Sequence, residues 1–308
     1  MLGKNSVKEA IIWFALLTPL ALYGATILPR PGREPIASQP LFKGIDYSRQ
    51  IKDQARPQVI HIVDIDLTAP GIKPYVSSGY AGVDLSQPAP EREEAAAQRT
   101  SEFITAEGLQ LAVNANFFYE FREATPWSYR PRTGQTANII GLAISDGEVV
   151  SPMNKYRTAL CFKEQRAVMQ WYGECPEGTQ QAVAGNLMLL ENGQPTDDVE
   201  KWVGYEGHKP YPVTIAALDA TGTRLWLVVV DGKQPFYSEG ITLTEITALV
   251  ESLGADTAVR LDGGGSATVA IATPSGPQML NVPIHAKVPG WERPVANHLG
   301  FFAQPLDP

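Results

Sequence analysis

Apolar residues follow two different spacings along the chain. In QVIHIVDIDL, from Gln58 to Leu67, they are dense enough to predict a β-strand, and IKPYVSS (72–78) and LQLAVNAN (109–116) predict two more. In GITLTEITALVESLG (240–254) they recur at helical spacing, with threonines that can cap the start and a glycine at the end. The pattern as a whole predicts many short strands and a few helices.

A second helix is predicted over residues 91–106, EREEAAAQRTSEFITA, because acidic residues occupy its first turn and good helix formers follow. Three hairpins are predicted from turn residues between apolar runs, at Asp146-Gly147, Asn192-Gly193 and Thr221-Gly222. Repeated hairpins with few helices predict the α+β class, built on mixed or antiparallel sheets.

A short apolar strand that ends in DGGGS is the first candidate site. Asp262 stands at the strand end, and Gly263, Gly264 and Gly265 have no side chains to keep a ligand from their backbone N–H groups. The same residues also suit a glycine-rich turn closed by an Asp side chain. A nucleophile elbow is disfavoured because a strand, not a helix, is predicted after Ser266, and no Gly-Lys-Ser/Thr follows as in a P-loop.

Four segments together resemble the phosphodiester glycosidase family: LVVVDGK (227–233), GITLTEI (240–246), LDGGGSAT (261–268) and ERPVANHLG (292–300). The family's best-known member uncovers mannose 6-phosphate by removing N-acetylglucosamine. The resemblance, over residues 44–303, implies an enzyme that hydrolyses a sugar-1-phosphodiester or a related glycan linkage. The alternative is a non-catalytic carbohydrate-binding or exopolysaccharide-assembly protein of the same fold.

Glycoside cleavage needs a carboxylate near the positive charge that develops on the sugar. Asp262 is the first candidate, as nucleophile, as base or as partner of ring hydroxyls. Asp231 also ends a strand, so the two acids would face one pocket if their strand ends were neighbours; otherwise Asp231 closes a turn. Glu245 is a third candidate, although its position in the first turn of a helix also suits a capping box.

A departing phosphate is a weak base, so cations that hold it matter more than a strong general acid. Arg293 is the best candidate because a guanidinium matches phosphate oxygens, and a surface ion pair with Glu292 is its alternative role. The backbone N–H groups of Gly263 to Ser266 and the Ser266 hydroxyl are further candidate donors to a substrate.

Asn114 and Asn116 lie at alternate positions of one predicted strand, where they would either recognise sugar hydroxyls or face solvent. Two other positions depart from what many family members carry: Arg260 stands in place of Asn, and Val213-Thr214 in place of Arg-Thr. Arg260 compensates for the lost cation if its side chain faces the pocket, so it is a candidate substrate-binding residue.

The segment from Tyr119 to Asn138 is long, aromatic and arginine-bearing, with neither a helical nor a strand period. Loops of this length are uncommon unless they form lids or binding surfaces. It is therefore either a binding surface or a loop whose aromatic residues pack on the domain.

The composition of the chain limits the classes of molecule that it is expected to bind. The 308 residues are 44% hydrophobic and 19% charged, and the net charge of -8 argues against nucleic acid as the main partner. No cofactor is predicted and no zinc or EF-hand pattern predicts a metal, although Asp-rich turns are compatible with a bound cation. Cys161 and Cys175 flank a predicted hairpin and would form a disulfide or remain separate thiols.

Lysines at positions 4 and 8 precede an uncharged apolar stretch over residues 10–28. At about 1.5 Å per residue its length approaches the thickness of a bilayer core, so residues 1–28 are predicted to be a signal peptide or a membrane anchor. The poor cleavage pattern around Ala25 favours an uncleaved anchor. Residues 29–44 then form a Pro/Gly-rich tether and residues 45–308 an extracytoplasmic domain.

Overall fold

The computed structural model describes residues 4–27, 30–88, 91–203 and 207–307. Four α-helices lie within these residues: α1 (Lys4–Ile27), α2 (Thr100–Glu107), α3 (Asp197–Trp202) and α4 (Leu243–Ser252). At the start of α4 the Thr242 hydroxyl accepts a hydrogen bond from the Glu245 N–H, and the Glu245 carboxylate accepts one from the Thr242 N–H. This capping box confirms the helix predicted within residues 240–254.

The strands are short and follow one another closely along the chain. In chain order they are β1 (Ile36–Phe42), β2 (Ile45–Lys52), β3 (Gln58–Asp66), β4 (Lys73–Val76), β5 (Ala95–Ala96), β6 (Leu111–Asn114), β7 (Phe118–Tyr119), β8 (Arg122–Thr125), β9 (Ser128–Arg130), β10 (Thr136–Ile139), β11 (Ala143–Ser145), β12 (Glu148–Ser151), β13 (Thr158–Lys163), β14 (Arg166–Gln170), β15 (Gln181–Gly185), β16 (Leu187–Glu191), β17 (Gln194–Pro195), β18 (Val213–Leu218), β19 (Arg224–Val230), β20 (Thr257–Arg260), β21 (Val269–Thr273), β22 (Gly276–Met279), β23 (Ile284–His285), β24 (Val288–Pro289) and β25 (His298–Phe302).

The largest sheet has eight strands in the order β1-β2-β3-β19-β18-β20-β16-β17. Two five-stranded sheets have the orders β22-β21-β6-β25-β4 and β12-β11-β15-β13-β14, and smaller sheets are formed by β5-β10-β7, β8-β9 and β23-β24. Neighbouring strands run antiparallel, as in β3 against β19 and β18 against β20. Antiparallel sheets with few helices confirm the predicted α+β class.

The central strands β3, β18 and β19 are buried on both faces. On one face, Val63 and Leu227 share a core cluster with Phe301 of β25, which belongs to the five-stranded sheet β22-β21-β6-β25-β4. The alternate residues on the other face pack against α4, and Val228 shares a second core cluster with Ile246. The sheet is therefore covered on both sides, which explains why its strands are apolar at nearly every position.

The three predicted hairpins are confirmed. Ser145 pairs with Glu148 around Asp146-Gly147, and β16 pairs with β17 around Asn192-Gly193. The longer connection through Thr221-Gly222 joins β18 to β19. In each hairpin the turn residues named from the sequence lie between the paired strands.

The helix predicted over residues 91–106 is wrong in its first half, because α2 begins only at Thr100. Residues Ala95–Ala96 instead form β5, which pairs with β10, and Glu94 is buried with its carboxylate accepting from the Ile139 N–H. Burial of this segment against β10 overrides its helix propensity. Residues 119–138 likewise contain a paired hairpin, β8–β9, where an irregular loop was predicted.

Within the described residues no helix is both long enough and apolar enough to cross a membrane. The predicted tether overlaps β1, which begins at Ile36 and pairs with β2 at the edge of the large sheet. A disulfide joins Cys161 to Cys175, with their Cα atoms 5.7 Å apart, beside the β13–β14 hairpin. The disulfide alternative is therefore the correct one.

Candidate active site

A cavity of about 460 Å³ lies where β20 ends and β18 begins. Its floor includes Arg260, Asp262 and Gly263, and Arg293 reaches it from the segment before β25. Five aromatic side chains form part of the remaining wall, and they are Phe117, Phe118, Phe121, Trp202 and Tyr211. The cavity thus combines apolar walls with a carboxylate and guanidinium groups, a composition typical of ligand sites.

Asp262 is held at the strand end by backbone hydrogen bonds on both sides. The Leu261 N–H donates to the Thr214 carbonyl, and the Asp262 N–H donates to the Ala115 carbonyl, both at 2.9 Å. Burial raises the pKa of Asp262 to about 6, although a hydrogen bond from Ser266 and the charge of Arg293 act in the opposite direction. This carboxyl group therefore changes charge near neutral pH, as catalytic acids and bases do.

The three glycines after Asp262 permit close packing on both sides of the loop. A Cβ at Gly263 would lie 2.6 Å from the Pro212 carbonyl oxygen, and one at Gly265 would lie 2.4 Å from the Arg293 Nη2 atom. Gly264 has a φ of +64°, and a Cβ there would meet the Tyr211 hydroxyl at 2.8 Å. A side chain at Gly264 would therefore displace Tyr211, and one at Gly265 would displace Arg293.

Three backbone amides of this loop are engaged within the protein. The Gly263 N–H donates to Asp262 Oδ1, the Gly264 N–H to the Pro212 carbonyl, and the Ser266 N–H to the Gly263 carbonyl. These three N–H groups are therefore not open donors to a substrate, as the sequence had suggested they would be. The loop instead contributes to the site by shaping it and by orienting the Ser266 hydroxyl.

Arg293 is buried, with 8% of its surface exposed, and its guanidinium is directed by three side chains. Its Nη1 donates to Ser266 Oγ at 3.1 Å, its Nε to His285 Nδ1 at 3.4 Å, and its Nη2 to the Glu123 carboxylate. The predicted alternative, an ion pair with Glu292, is wrong because Glu292 accepts hydrogen bonds from Ser101 on α2.

Glu123, on β8, is a site residue that the sequence did not reveal. Burial alone would raise its pKa, but a hydrogen bond with His285 and the charge of Arg293 lower it to about 2. The ionised Glu123 carboxylate therefore lies on the guanidinium that was predicted to bind phosphate. The only sequence signal was indirect, namely the unusual length and composition of residues 119–138.

Two further arginines surround Asp262. Arg260 lines the cavity, donates from Nε to Asn186 Oδ1 at 3.0 Å and lies over the Trp202 ring. Arg157, which the sequence analysis did not identify, lies over the Phe117 ring and is attracted by the Asp262 charge. Burial lowers the pKa of both arginines. Arg260, a desolvated cation that lines the cavity beside apolar residues, favours an anionic ligand group there.

Asn114 and Asn116 are fully buried and face neither solvent nor the cavity. Asn114 Nδ2 donates to the Asp262 carbonyl at 2.6 Å, and its Oδ1 accepts from the Thr214 hydroxyl and the Thr268 N–H. Asn116 accepts from the Ala184 N–H and donates to the Leu142 carbonyl. Asn114 thus positions the strand end that carries Asp262, while Asn116 joins neighbouring strands.

The other two predicted carboxylates lie outside the cavity. Asp231 is 1% exposed, and its carboxylate accepts hydrogen bonds from Asn281 Nδ2 and from the Val282 N–H. It also shares a hydrogen bond of 3.2 Å with His61 Nε2. Glu245 completes the cap of α4 and pairs with Arg56. The structure therefore brings Asp262, Arg260, Ser266 and Arg293 together, whereas Asp231 and Glu245 do not line the cavity. Among the described residues no group of three or more His, Cys, Asp or Glu side chains could hold a metal ion.

The sequence profile of the family described as phosphodiester glycosidase matches residues 107–302, more than half of the chain. The chain belongs to the phosphodiester glycosidase family. The matched residues include the cavity floor, Arg293 and the β8–β9 hairpin that carries Glu123. No curated protein sequence matches the chain significantly.

Solved structures share the fold at low sequence identity. The catalytic domain of zebrafish N-acetylglucosamine-1-phosphodiester alpha-N-acetylglucosaminidase, auto-inhibited by its pro-peptide, is 17% identical with a TM-score of 0.57, over 91% of this phosphodiester glycosidase chain and 92% of the zebrafish chain. A putative exported protein from Burkholderia pseudomallei K96243 is 15% identical with a TM-score of 0.51, over 80% of this chain and 74% of the other. The whole domain, not one motif, is thus similar to known structures.

Proposed function

We propose that this chain hydrolyses a sugar-1-phosphodiester linkage, with Asp262 as the catalytic carboxylate and Arg293 as the principal phosphate ligand. The observation that carries the proposal is one cavity lined by Asp262, with a pKa of about 6, together with Arg293 and Arg260, while the charge of Arg157 also acts on Asp262. Family membership supports a glycosidase in general terms, and the zebrafish enzyme's name supplies the phosphodiester linkage.

The charges of the cavity suit this reaction. The bond between the sugar C1 and the phosphate oxygen breaks, its electrons pass to the phosphate, and water supplies the hydroxyl that C1 gains. Because phosphate leaves as a stable anion, the arginines stabilise the departing group by charge. Ionised Asp262 stabilises the positive charge on the sugar, either as nucleophile or as the base that activates water. We assign structural roles to the other two carboxylates: Asp231 holds the segment around Asn281 and Val282 beside the end of β19, and Glu245 caps α4.

The test is hydrolysis of a panel of sugar-1-phosphodiesters by the purified protein. Wild type is expected to release the free sugar from at least one of them, and Asp262→Asn to lower kcat/KM by roughly two orders of magnitude or more, because a transition-state interaction is lost. Asp256→Asn is the matched control, since Asp256 immediately precedes β20, the strand that Asp262 follows. A full rate in Asp262→Asn would remove Asp262 from the mechanism.

A second candidate function is glycan binding without turnover, as in a carbohydrate-binding or exopolysaccharide-assembly protein. One observation favours it: the Glu123 carboxylate is paired with the Arg293 guanidinium, so a substrate phosphate has to displace Glu123 before it binds there. Retained glycan binding with no release of sugar across the panel would favour this function over hydrolysis.

We also propose that the domain acts outside the cytoplasm, exported through its N-terminal apolar segment. The disulfide supports this location because disulfides persist in oxidising compartments, and one structural relative is described as a putative exported protein. Recovery of the protein from the cytoplasmic fraction, with reduced thiols at Cys161 and Cys175, would contradict it.

A further inference from the structure

Two arginines oppose each other on the outer face of the β8–β9 hairpin. Arg122 pairs directly with Arg130, and both side chains are exposed. Like charges directly across a strand pair destabilise the pairing. On the other face Glu123 forms ion pairs with Arg293 and His285, whereas Arg122 and Arg130 form none with any residue that the structure describes. This arrangement leaves two cations uncompensated in a chain whose net charge is -8.

These arginines line a cavity of about 210 Å³ together with Arg132 and the aromatic residues Trp127 and Tyr129. A neighbouring cavity of about 510 Å³ shares Trp127, Tyr129 and Arg132 and adds Trp291. We call the two together the outer cleft. The indole side chains of Trp127 and Trp291 are 75% and 45% exposed, so the cleft offers flat apolar faces beside cationic groups.

The larger cavity of the outer cleft adjoins the candidate active site through the buried His285 side chain. The Tyr129 ring meets the His285 ring edge to face at 4.3 Å between centroids, and His285 Nδ1 lies 3.4 Å from Arg293 Nε. His285 also lines the larger part of the cleft. His285 therefore lies between Arg293 and the outer cleft and contacts Arg293 on one side and Tyr129 on the other.

We propose that the outer cleft is a second phosphate and sugar subsite, which makes the preferred substrate a glycan whose successive units are joined through phosphate. Arg122 and Arg130 bind the second phosphate, and the exposed indole rings pack against the adjoining sugar. Guanidinium forks match phosphate oxygens, and aromatic faces match the C–H faces of sugar rings. This proposal rests on the proposed function, because it names the substrate class of the same site.

The test compares a single sugar-1-phosphodiester with a trimer of the same phosphodiester-linked sugar. In the double variant Arg122→Gln/Arg130→Gln, the ratio of kcat/KM for the trimer to that for the single diester is expected to fall about tenfold, a size consistent with the loss of two exposed charge contacts. The matched control is Arg166→Gln, an exposed strand arginine that also stands opposite a cation, Lys163, but lines neither part of the cleft. An unchanged ratio in the double variant would overturn the second subsite.

A binding measurement separates this proposal from the proposed function. Calorimetry with the trimer, on the Asp262→Asn protein so that no substrate is consumed, is expected to give about tenfold weaker binding in the double variant and a shallower dependence on salt. If wild type hydrolyses neither probe, the proposed function fails while this comparison still decides the subsite. Equal trimer affinity with and without the two arginines would refute the subsite, and so would tighter binding of a single-stranded oligonucleotide with the same number of phosphates.

Discussion

The position of Asp262 has a local cause in the sequence, and its pKa has a non-local cause in the packing of the fold. Its place at a strand end before glycines follows from the sequence, whereas its raised pKa follows from burial beneath the aromatic walls of the cavity. Burial favours the neutral carboxyl group, so the folded state binds this proton more tightly than the unfolded state does. Stability and activity therefore depend on the same proton in opposite ways.

Asp262→Asn is expected to stabilise the protein in a pH-dependent manner. The pKa rises from 3.8 to about 6 on folding, so ionisation opposes folding progressively between these two values and fully above pH 6. The variant should match wild type near pH 4 and exceed its unfolding free energy by up to about 3 kcal/mol above pH 6. Urea unfolding at pH 4, 5, 6 and 7.5 measures the difference; a difference independent of pH would contradict the raised pKa.

Glu123→Gln is expected to increase the affinity of the site for inorganic phosphate. The ionised carboxylate competes with an anion for the Arg293 guanidinium, whereas a neutral amide competes less. Calorimetry should show about tenfold tighter phosphate binding at pH 7. Glu120→Gln, three residues earlier at an exposed position, is the control and should bind phosphate as wild type does. Weaker binding in Glu123→Gln would mean that Glu123 orients Arg293 and does not compete with the ligand.

At the scale of elements, antiparallel strands determine which side chains meet. β6 lies between β21 and β25, so Asn114 reaches the backbone at both Asp262 and Thr268. The β8–β9 hairpin places Glu123 on Arg293 and presents Arg122 and Arg130 on its opposite face. The alternation of side chains along β8 thereby directs Glu123 to the inner site and Arg122 to the outer cleft.

The disulfide beside the β13–β14 hairpin is expected to stabilise the fold without shaping the cavity. Cys161 and Cys175 are 14 residues apart, and closing a loop of this size contributes about 3 kcal/mol. Neither cysteine lines the cavity at Asp262. The variant Cys161→Ala/Cys175→Ala should therefore lower the denaturant midpoint while retaining the kcat/KM of wild type for a phosphodiester substrate. Loss of activity at full stability would contradict this assignment.

At the scale of the whole molecule, the sequence by itself determined the class of fold, the hairpins, the α4 helix and the glycine-rich strand end. These features depend on turn chemistry, capping and apolar periodicity, which act between residues close together in the chain. Its four motifs also indicated the phosphodiester glycosidase family, which the match over residues 107–302 bears out.

Only the tertiary structure decided which polar residues share the site. Glu123 and Arg293 meet across 170 positions, and Asn114 meets Asp262 across 148, because the packing of separate sheets brings them together. The same packing buries Asp231 in a network with His61 and Asn281, away from the cavity. It also converts residues 91–99 from a predicted helix into a segment that pairs with β10, since burial contributes more than local propensity. Strand ends are readable from the sequence, but their neighbours are set by contacts between distant segments.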